Sequence, residues 1–402
     1  MNQISTNSEK IQVLITRGVK NIYPSGEYLK KLLKSGQQLT LYLGIDPTGP
    51  SLHLGHAIIL DKLRQFQELG HRVILLIGNF TATIGDPTDK TALRQPLDRG
   101  QILENAKDYK KQAKRFISFN GRNKAQLKYN GKWFDQMNFD EVLKLSSHFT
   151  IQQLLERDMF EKRIQQGKPI SLHELMYPVM QAYDSVALNT DGEVGGNDQT
   201  FNMLAGRTLM KSLLNKEKFV LTLKLLADVK GIKMGKTEGN MVNLNDSPTD
   251  MFGKIMSWTD KMIVNGFELC TRVPMTEIDK IEQSMQVGAN PRDYKFQLAK
   301  EIVSFYYSEK EAEKTGQEFI KIFAKKEQPN NIQPYKIPPG KINPINLLIE
   351  LKFVPSRNEA KRLIEGGGFK INNQKITSWQ NDIQIKSQDV IQAGKRKFGQ
   401  IT

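Results

Sequence analysis

Two histidines three positions apart, His53 and His56, stand where the chain passes from a turn into a helical pattern. A strand pattern, 39–45, precedes them, and a helical pattern, 57–69, and a second strand pattern, 72–77, follow. Strand, tight turn, helix and strand form a βαβ unit, whose ligand site lies outside the carboxyl ends of its strands. Because a helix N-terminus binds anions through its unpaired N–H groups, we predict a nucleotide phosphate beside the two imidazoles.

A second group of chemically useful residues begins 180 positions after the first histidine. Lys233 and Lys236 enclose Met234 and Gly235, and Thr237 follows them. The glycine between two lysines predicts a loop that carries two cations. The same short run is also typical of ordinary surface loops, so only its combination with the histidines indicates phosphate chemistry.

The elements that must position these residues divide into segments. Residues 1–245 mix strand and helix patterns, with a helix-rich insertion at about 121–178 and the lysine loop at 231–240. Residues 246–328 have helical patterns, and prolines among polar residues predict a linker at 329–342. We therefore predict an α/β fold, in which a Rossmann-like parallel-sheet catalytic domain with a helical insertion precedes an all-α domain and a small α+β domain.

Within the insertion, apolar residues at helical spacing over 149–166 predict one amphipathic helix. Two apolar positions outside its main stripe indicate a contact with another chain, although a core contact explains them equally well.

The small α+β domain is predicted for 343–402. Ser356 and Glu359 form a capping box that starts a helix, and Asn372 with Asn373 predicts a hairpin turn. The whole chain has a net charge of +15, and from residue 331 onward it has twelve Lys or Arg but only five Asp or Glu. This excess favours a polyanionic partner and an RNA-binding role for the domain, with a basic solvated surface as the alternative.

Composition excludes several other classes of protein. No apolar run approaches the roughly 18–20 residues that a membrane helix needs, and the polar residues 1–20 show no secretory signal. Cys270 is the only cysteine, so no internal disulfide and no cysteine pair for zinc are expected. We therefore predict a cytoplasmic protein without zinc and without a membrane partner.

Taken together, these motifs resemble the class I aminoacyl-tRNA synthetases, and within them the tyrosyl-tRNA synthetases. Residues 53–56 are similar to the family's His-Ile-Gly-His signature, and 233–237 to its Lys-Met-Ser-Lys-Ser loop, with Gly235 and Thr237 replacing the two serines. The resemblance runs from about 20 to 245, and the tail is similar to an RNA-binding domain of bacterial tyrosyl enzymes. Four further stretches carry it: 41–48, 84–87, 181–184 and 195–199.

The resemblance implies that a homodimer activates L-tyrosine with ATP to tyrosyl-adenylate and transfers it to the 3′ end of tRNA(Tyr). The attacking carboxylate is ionised at pH 7, so the protein must align the reactants and neutralise charge rather than supply a base. Mg²⁺ on the ATP phosphates is expected, with no protein metal site. The predicted catalytic donors are Thr48, His53, His56, Lys233, Lys236 and Thr237.

The resemblance also implies a tyrosine pocket, in which phenylalanine would leave Asp184 and Tyr42 without a partner. Three of its residues are spaced i, i+4 and i+7, so one helix face can present them together. The predicted tyrosine-binding residues are Tyr42, Asp86, Tyr177, Gln181, Asp184 and Gln199. The predicted nucleotide-binding residues are Gly44, Asp46, Gly55, Gly196, Asp198 and Met234.

Three alternatives stay open at this point. The nearest is a tryptophanyl-tRNA synthetase. A small-molecule nucleotidyltransferase has a similar histidine motif but seldom needs a basic third domain. An RNA-binding protein that has lost catalysis is disfavoured by the intact His53, His56, Lys233 and Lys236.

Overall fold

A computed structural model describes residues 4–87, 97–227, 241–323, 332–394 and 397–402. The chain forms two compact units, the first from Met1–Asp246 with Trp258–Tyr294 and the second from Ser247–Ser257 with Lys295–Thr402. Helices of the segment predicted as all-α are therefore divided between the two units.

The helices of the described residues, in chain order, are α1 (Ser8–Thr16), α2 (Gly26–Lys34), α3 (Leu54–Glu68), α4 (Thr81–Ile84), α5 (Arg99–Ala106), α6 (Tyr109–Ala113), α7 (Gly131–Phe134), α8 (Phe139–Ser146), α9 (Ile151–Leu155), α10 (Asp158–Gln165), α11 (Leu172–Leu188), α12 (Thr200–Leu214), α13 (Pro248–Met256), α14 (Met262–Cys270), α15 (Met275–Gln286), α16 (Pro291–Tyr306), α17 (Glu309–Phe323), α18 (Pro344–Glu350) and α19 (Arg357–Glu365).

A six-stranded sheet forms the centre of the first unit. Its strands are β1 (Val19–Tyr23), β2 (Thr40–Ile45), β3 (Arg72–Ile77), β4 (Gln126–Tyr129), β5 (Gly192–Gly196) and β6 (Phe219–Leu223). They lie in the order β1-β6-β5-β2-β3-β4, and all neighbours are parallel except β1 and β6. Nearly every residue of β3, β5 and β6 is buried, as expected for a parallel sheet with helices on both faces. The predicted Rossmann-like fold is confirmed.

The predicted βαβ unit is present as β2, α3 and β3, but α3 begins at Leu54, three residues earlier than the apolar pattern indicated. The cap is the reason. His53 precedes the helix in an extended conformation and its side chain accepts a hydrogen bond from the Gly55 N–H. Histidine is not among the usual N-cap residues, so the sequence rules place the start too late.

The single amphipathic helix predicted over 149–166 is wrong, because the chain breaks it into α9 and α10. Arg157 lies between them in an extended conformation, with φ −65° and ψ 121°. Its guanidinium donates from Nη2 to Asp86 Oδ1 at 2.6 Å. This long-range ion pair overrides the local helical pattern.

Strand β4 lies inside the segment predicted as a helix-rich insertion, 121–178, and pairs in parallel with β3. Its four residues are half exposed, since β4 is an edge strand. In a strand of four mostly polar residues, the alternation of apolar and polar side chains is too short to be detected.

Seven short strands follow among the described residues of the second unit. They are β7 (Gln333–Tyr335), β8 (Gly340–Ile342), β9 (Phe369–Ile371), β10 (Gln374–Lys375), β11 (Ile383–Ile385), β12 (Val390–Ala393) and β13 (Lys397–Ile401). Five form a sheet in the order β10-β9-β12-β13-β7, and β11 pairs with β8. Together with α18 and α19 they enclose a small core that includes Leu347, Leu348, Ile364, Phe369 and Ile391.

The capped helix and the hairpin predicted for this unit are present. The Ser356 hydroxyl accepts from the Glu359 N–H, and Asn372 and Asn373 form the turn with φ of 47° and 68°. Positive φ at both turn residues is typical of a two-residue hairpin. The segment predicted as a linker, 329–342, instead contains β7 and β8. Pro334 is accommodated because β7 is an edge strand.

A buried lysine ties α3 to α1 in the first unit. Lys62 is 3% exposed, and its Nζ donates to the carbonyls of Leu14 at 2.8 Å and Arg17 at 3.0 Å. Burial lowers the pKa of Lys62 from 10.5 to about 7; Asp61 and Glu268 oppose this change, whereas Arg17 and Arg64 reinforce it.

This lowered pKa predicts a pH-dependent stability. Between pH 7 and 10.5 the unfolded chain binds a proton at Lys62 that the folded chain has lost. The free energy of unfolding should therefore gain in size, so that the protein becomes more stable as the pH rises. In Lys62→Met that gain should disappear, whereas it should persist in Lys111→Met, at an exposed position. Thermal unfolding at pH 7 and pH 9.5 measures it, and equal pH responses of Lys62→Met and the parent protein would contradict the assignment.

Candidate active site

A cavity of about 320 Å³ opens at the carboxyl ends of β2, β5 and β6. The chain leaves β2 for β3 on one side, and β5 lies on the other side, so the cavity is at the switch point of the sheet, where ligands of such folds bind. Thirteen predicted site residues line it: Gly44, Asp46, Thr48, His53, Gly55, His56, Asp86, Tyr177, Gln181, Asp184, Gly196, Asp198 and Gln199.

The two histidines cap α3 with their own rings. His53 Nδ1 accepts from the Gly55 N–H at 3.1 Å, and His56 Nδ1 accepts from the His53 N–H at 3.2 Å. The rings lie against each other, with centroids 3.9 Å apart. Because Nδ1 accepts in both rings, a neutral imidazole must carry its proton on Nε2. Both side chains therefore present an Nε2–H donor.

The residues around the predicted lysine loop adjoin this motif. Leu226, on one side, lines the cavity. On the other side, the Val242 carbonyl accepts from the Leu54 N–H at 3.0 Å, and the Leu244 N–H donates to the Leu52 carbonyl at 2.9 Å. Between them, Lys233, Met234, Lys236 and Thr237 lie outside the described residues, so their part in the site stays a prediction.

Asp184 is a buried carboxyl in the cavity wall, 4% exposed. Trp133 Nε1 donates to its Oδ1 at 3.0 Å, and Asn130 Nδ2 donates to its Oδ2 at 3.3 Å. Burial raises the pKa of Asp184 well above its usual value, and these two hydrogen bonds oppose the change. Sequence reasoning missed Asn130 and Trp133, which lie within four residues of the end of β4, the edge strand that it also missed.

Asp46 joins three elements at the end of β2. Tyr177 Oη donates to Asp46 Oδ2 at 2.9 Å, and Thr81 Oγ1 donates to Asp46 Oδ1 at 2.7 Å. Burial and the neighbouring carboxylates of Asp46 and Asp86 raise the pKa of Tyr177. A Cβ on Gly78 would stand 1.9 Å from Asp46 Oδ1, so only glycine allows this arrangement.

Asp86 is held from two sides. Gln199 Nε2 donates to its Oδ2 at 2.8 Å, and Arg157 Nη2 donates to its Oδ1 at 2.6 Å. Arg157 is buried and was missed by sequence reasoning, because a lone arginine in a helical pattern gives no signal.

Tyr42 does not line the cavity. It is fully buried, and its hydroxyl lies 2.9 Å from Ser185 Oγ. The structure therefore places Asp184 in the wall and Tyr42 behind it.

The arrangement suits an anionic ligand joined to a polar one. The start of α3 offers two imidazole Nε2–H donors and the positive end of the helix dipole for phosphate oxygens, whereas the first backbone N–H groups already donate within the protein. The walls formed by α11 and β5 offer carboxylates, an amide and a hydroxyl that can bind an ammonium and a polar side chain.

Comparison with known proteins decides the family. Residues 34–324 match the class I tRNA synthetases for tryptophan and tyrosine (W and Y), and residues 346–379 match the S4 domain. A tyrosine–tRNA ligase of Carboxydothermus hydrogenoformans is 44% identical over 400 residues, 96% of each chain. One of Haemophilus ducreyi is 42% identical over 395 residues, 98% of each chain. The chain belongs to the tyrosyl-tRNA synthetase family.

Solved structures show the same fold. A truncated mitochondrial tyrosyl-tRNA synthetase of Aspergillus nidulans matches 79% of this chain and 95% of its own, with a TM-score of 0.63 at 23% identity. Membership of the tyrosyl-tRNA synthetase family confirms the predicted class and implies ATP as a substrate, and it disfavours the tryptophanyl alternative. The S4 match confirms the predicted RNA-binding module.

Within the part of the chain that the structure describes, no helix is long and apolar enough to cross a membrane. The same residues contain no group of three or more His, Cys, Asp or Glu side chains arranged to hold a metal ion.

The double role of His56 predicts two separable losses. His56→Ala removes an Nε2–H donor from the cavity and a cap from α3, so ATP–pyrophosphate exchange should fall by about 10²–10³ and stability by about 1 kcal/mol. Ser25→Ala removes the cap of α2, where Ser25 accepts from the Tyr28 N–H, and should lower stability without affecting exchange. Unchanged exchange in His56→Ala, measured on folded protein, would contradict the assignment.

Proposed function

We propose that this chain is a tyrosine–tRNA ligase that activates L-tyrosine with ATP and transfers it to the 3′ end of tRNA(Tyr). The observation that carries the proposal is one cavity combining two histidine Nε2–H donors at a helix N-terminus with the buried carboxyl of Asp184. The high identity of the named relatives over nearly the full chain supports it.

In the first step, a carboxylate oxygen of tyrosine attacks the α-phosphorus of ATP and the bond to pyrophosphate breaks, with no proton transferred. The Nε2–H groups of His53 and His56 bind phosphate oxygens, the positive end of the α3 dipole favours the negative charge there, and Mg²⁺ enters with ATP as part of the substrate. In the second step, a hydroxyl of the terminal tRNA ribose attacks the carbonyl carbon, the bond from that carbon to the phosphate oxygen breaks, and AMP leaves as its phosphate takes up the hydroxyl proton. Alignment of the reactants can lower such barriers by about 7–11 kcal/mol.

The tyrosine side chain is assigned to Asp184. Its carboxyl is fixed by Trp133 and Asn130, so it is ready to pair with a phenol hydroxyl. Phenylalanine would bury the same carboxyl without a partner, which costs more than a missing methylene. The other roles in the site are proposed as follows: Tyr177, Gln181 and Asp86 bind the ammonium, Gln199 the carboxylate, Asp46, Asp198, Gly44, Gly55 and Gly196 the nucleotide, and Thr48, Lys233, Met234, Lys236 and Thr237 the phosphates.

Amino-acid-dependent ATP–pyrophosphate exchange tests this function. With each of the twenty amino acids in turn, exchange should be strong with tyrosine and near background with phenylalanine and tryptophan. Exchange driven by tryptophan instead of tyrosine would refute the substrate assignment while leaving the class of enzyme intact.

The S4 domain is proposed to bind the tRNA backbone through α19. Arg357 and Arg362 are exposed on this helix, and the Lys361 ammonium lies 4.0 Å from the Trp379 ring centroid. Trp379 Nε1 in turn donates to Glu365 Oε1 at 2.9 Å, so the ring is held beside the helix. A fixed aromatic ring among exposed cations suits a flexible, single-stranded or looped RNA segment.

If Arg362 contacts a phosphate, Arg362→Gln should weaken tRNA binding. The association constant should also fall less steeply with salt, with a slope of log K against log salt that is about 1 less negative. Tyrosine-dependent pyrophosphate exchange should stay unchanged, because that reaction does not involve tRNA. Lys34→Gln, at an exposed position of α2, is the matched control. Filter binding at several salt concentrations measures the slope, and an identical slope for Arg362→Gln and the parent would contradict this contact.

A homodimer is proposed from apolar side chains on four helices that pack together, α8 to α11. Large apolar side chains there are exposed by 52–77% and would be covered by a second copy. We propose that tRNA crosses between the two copies and that the enzyme acts in the cytoplasm, where tRNA is used. The exposed residues are Phe139, Leu143, Ile151, Ile164 and Leu172.

Leu172 is the most exposed of them, at 77%. Leu172→Asp should convert the dimer to monomers, because a carboxylate would be buried at the interface without a partner. Light scattering after size-exclusion chromatography measures the mass. Val287→Asp, at a side chain that is 87% exposed but lies on no part of this surface, should stay dimeric. A dimer that survives Leu172→Asp would place the interface elsewhere.

A further inference from the structure

A charged pair is completely buried behind the amino-acid pocket. Lys218 is 0% exposed and Glu193 is 2% exposed, and Lys218 Nζ lies 2.5 Å from Glu193 Oε2. Glu193 is on β5 and contributes to the cavity wall, and Lys218 directly precedes β6. Sequence reasoning gave neither residue a role.

The pair is connected to two residues of the predicted tyrosine pocket. On the cavity side, Gln181 Nε2 donates to Glu193 Oε1 at 3.1 Å. On the far side, Lys218 Nζ donates to Ser185 Oγ at 2.7 Å, and Ser185 Oγ lies 2.9 Å from the Tyr42 hydroxyl. Every link in this chain of contacts is within hydrogen-bond distance.

The surrounding helix is shaped to accommodate the pair. A Cβ on Gly206 of α12 would stand 2.6 Å from Lys218 Nζ and 2.7 Å from Ser185 Oγ. Any larger residue at this position would displace one of them. Glycine here leaves the space that the lysine and the serine hydroxyl share.

The carboxylate decides which way the Gln181 amide faces. A carboxylate only accepts hydrogen bonds, so the amide must turn its NH₂ group toward Glu193. The amide oxygen of Gln181 is then directed away from Glu193, where it can accept from a donor in the cavity. An ammonium group has three donors and no acceptor, and so it requires an oxygen at this place.

We propose that Glu193 and Lys218 form a positioning pair that orients Gln181 to accept a hydrogen bond from the ammonium of the bound amino acid and holds Tyr42 through Ser185. The inference rests on the proposed activity, in which Gln181 faces that ammonium. Glu193 fixes the amide of Gln181, and Lys218 supplies the cation that pairs with the buried Glu193 side chain. Neither residue is assigned a contact with a reacting atom.

The energetics of buried ion pairs make this role testable. Replacing both members of a buried pair by apolar residues of similar size is often neutral for stability, whereas removing one member is strongly destabilising. A pair that served only folding would therefore be replaceable without a change in substrate binding. If the pair positions Gln181, its replacement should leave the stability of the protein unchanged but weaken the binding of tyrosine.

The experiment replaces both members with Glu193→Met and Lys218→Met in the full-length chain. In tyrosine-dependent pyrophosphate exchange, the KM for tyrosine should rise about tenfold or more, since one hydrogen bond to a charged group is weakened. The KM for ATP and the thermal midpoint should stay close to those of the parent. This split between the two substrates is not expected if the pair is merely structural.

A conservative pair provides the rescue. In Glu193→Gln with Lys218→Met, the new amide oxygen can still accept from Gln181 Nε2, so most of the parent KM for tyrosine should return. Arg207→Met with Glu217→Gln is the control, because it removes an ion pair of 2.5 Å that does not touch Gln181. Its KM for tyrosine should equal that of the parent.

Several results would overturn the inference. These are an unchanged KM for tyrosine in the double methionine variant, an equal rise in the KM for ATP, failure of that variant to fold, or no rescue by the amide. Failure of the proposed activity is distinguishable, because the parent protein would then show no tyrosine-dependent exchange at all.

Discussion

The site depends on one constraint, which is that the first N–H groups of a helix have no partner within it. In α3 the rings of His53 and His56 take two of these groups through Nδ1. The same hydrogen bonds that start the helix fix both imidazoles with Nε2 as the donor. The same hydrogen bonds therefore cap the helix, fix the tautomer of both rings and orient them. They place two N–H donors and the positive end of the helix dipole at the switch point of the sheet, where a phosphate is expected.

A second rule, that buried polar groups must be paired, shapes the rest of the cavity. Asp184 is held by Trp133 and Asn130, and Asp46 by Tyr177 and Thr81. Each of these carboxyl groups lies on one element and its hydrogen-bond donors lie on others. The pocket therefore takes its shape only when the sheet and its helices have packed together. A site whose buried polar groups are paired in this way discriminates between ligands that differ by a single hydroxyl, because the ligand that lacks it leaves a group unpaired.

The sequence predicts the parts of this protein that local patterns encode. The βαβ unit around the histidines, the parallel sheet, the S4-like tail and thirteen cavity residues follow from periodicity, turn chemistry and family motifs. What it does not predict depends on partners distant along the chain. Arg157 breaks a helical pattern because it pairs with Asp86, which lies 71 positions earlier in the chain. Lys218 is buried because it pairs with Glu193. Such contacts leave no local period, so only the folded chain reveals them.

The central claim is that the imidazole donors of α3 and the buried carboxyl of Asp184 serve one bound molecule. A crystal structure with a non-hydrolysable tyrosyl-adenylate analogue tests it most directly. The account predicts the phenol oxygen within about 3 Å of Asp184 and a phosphate oxygen within the same distance of a His53 or His56 Nε2. An analogue bound with its phenol away from Asp184, or with its phosphate out of reach of both histidines, would contradict it.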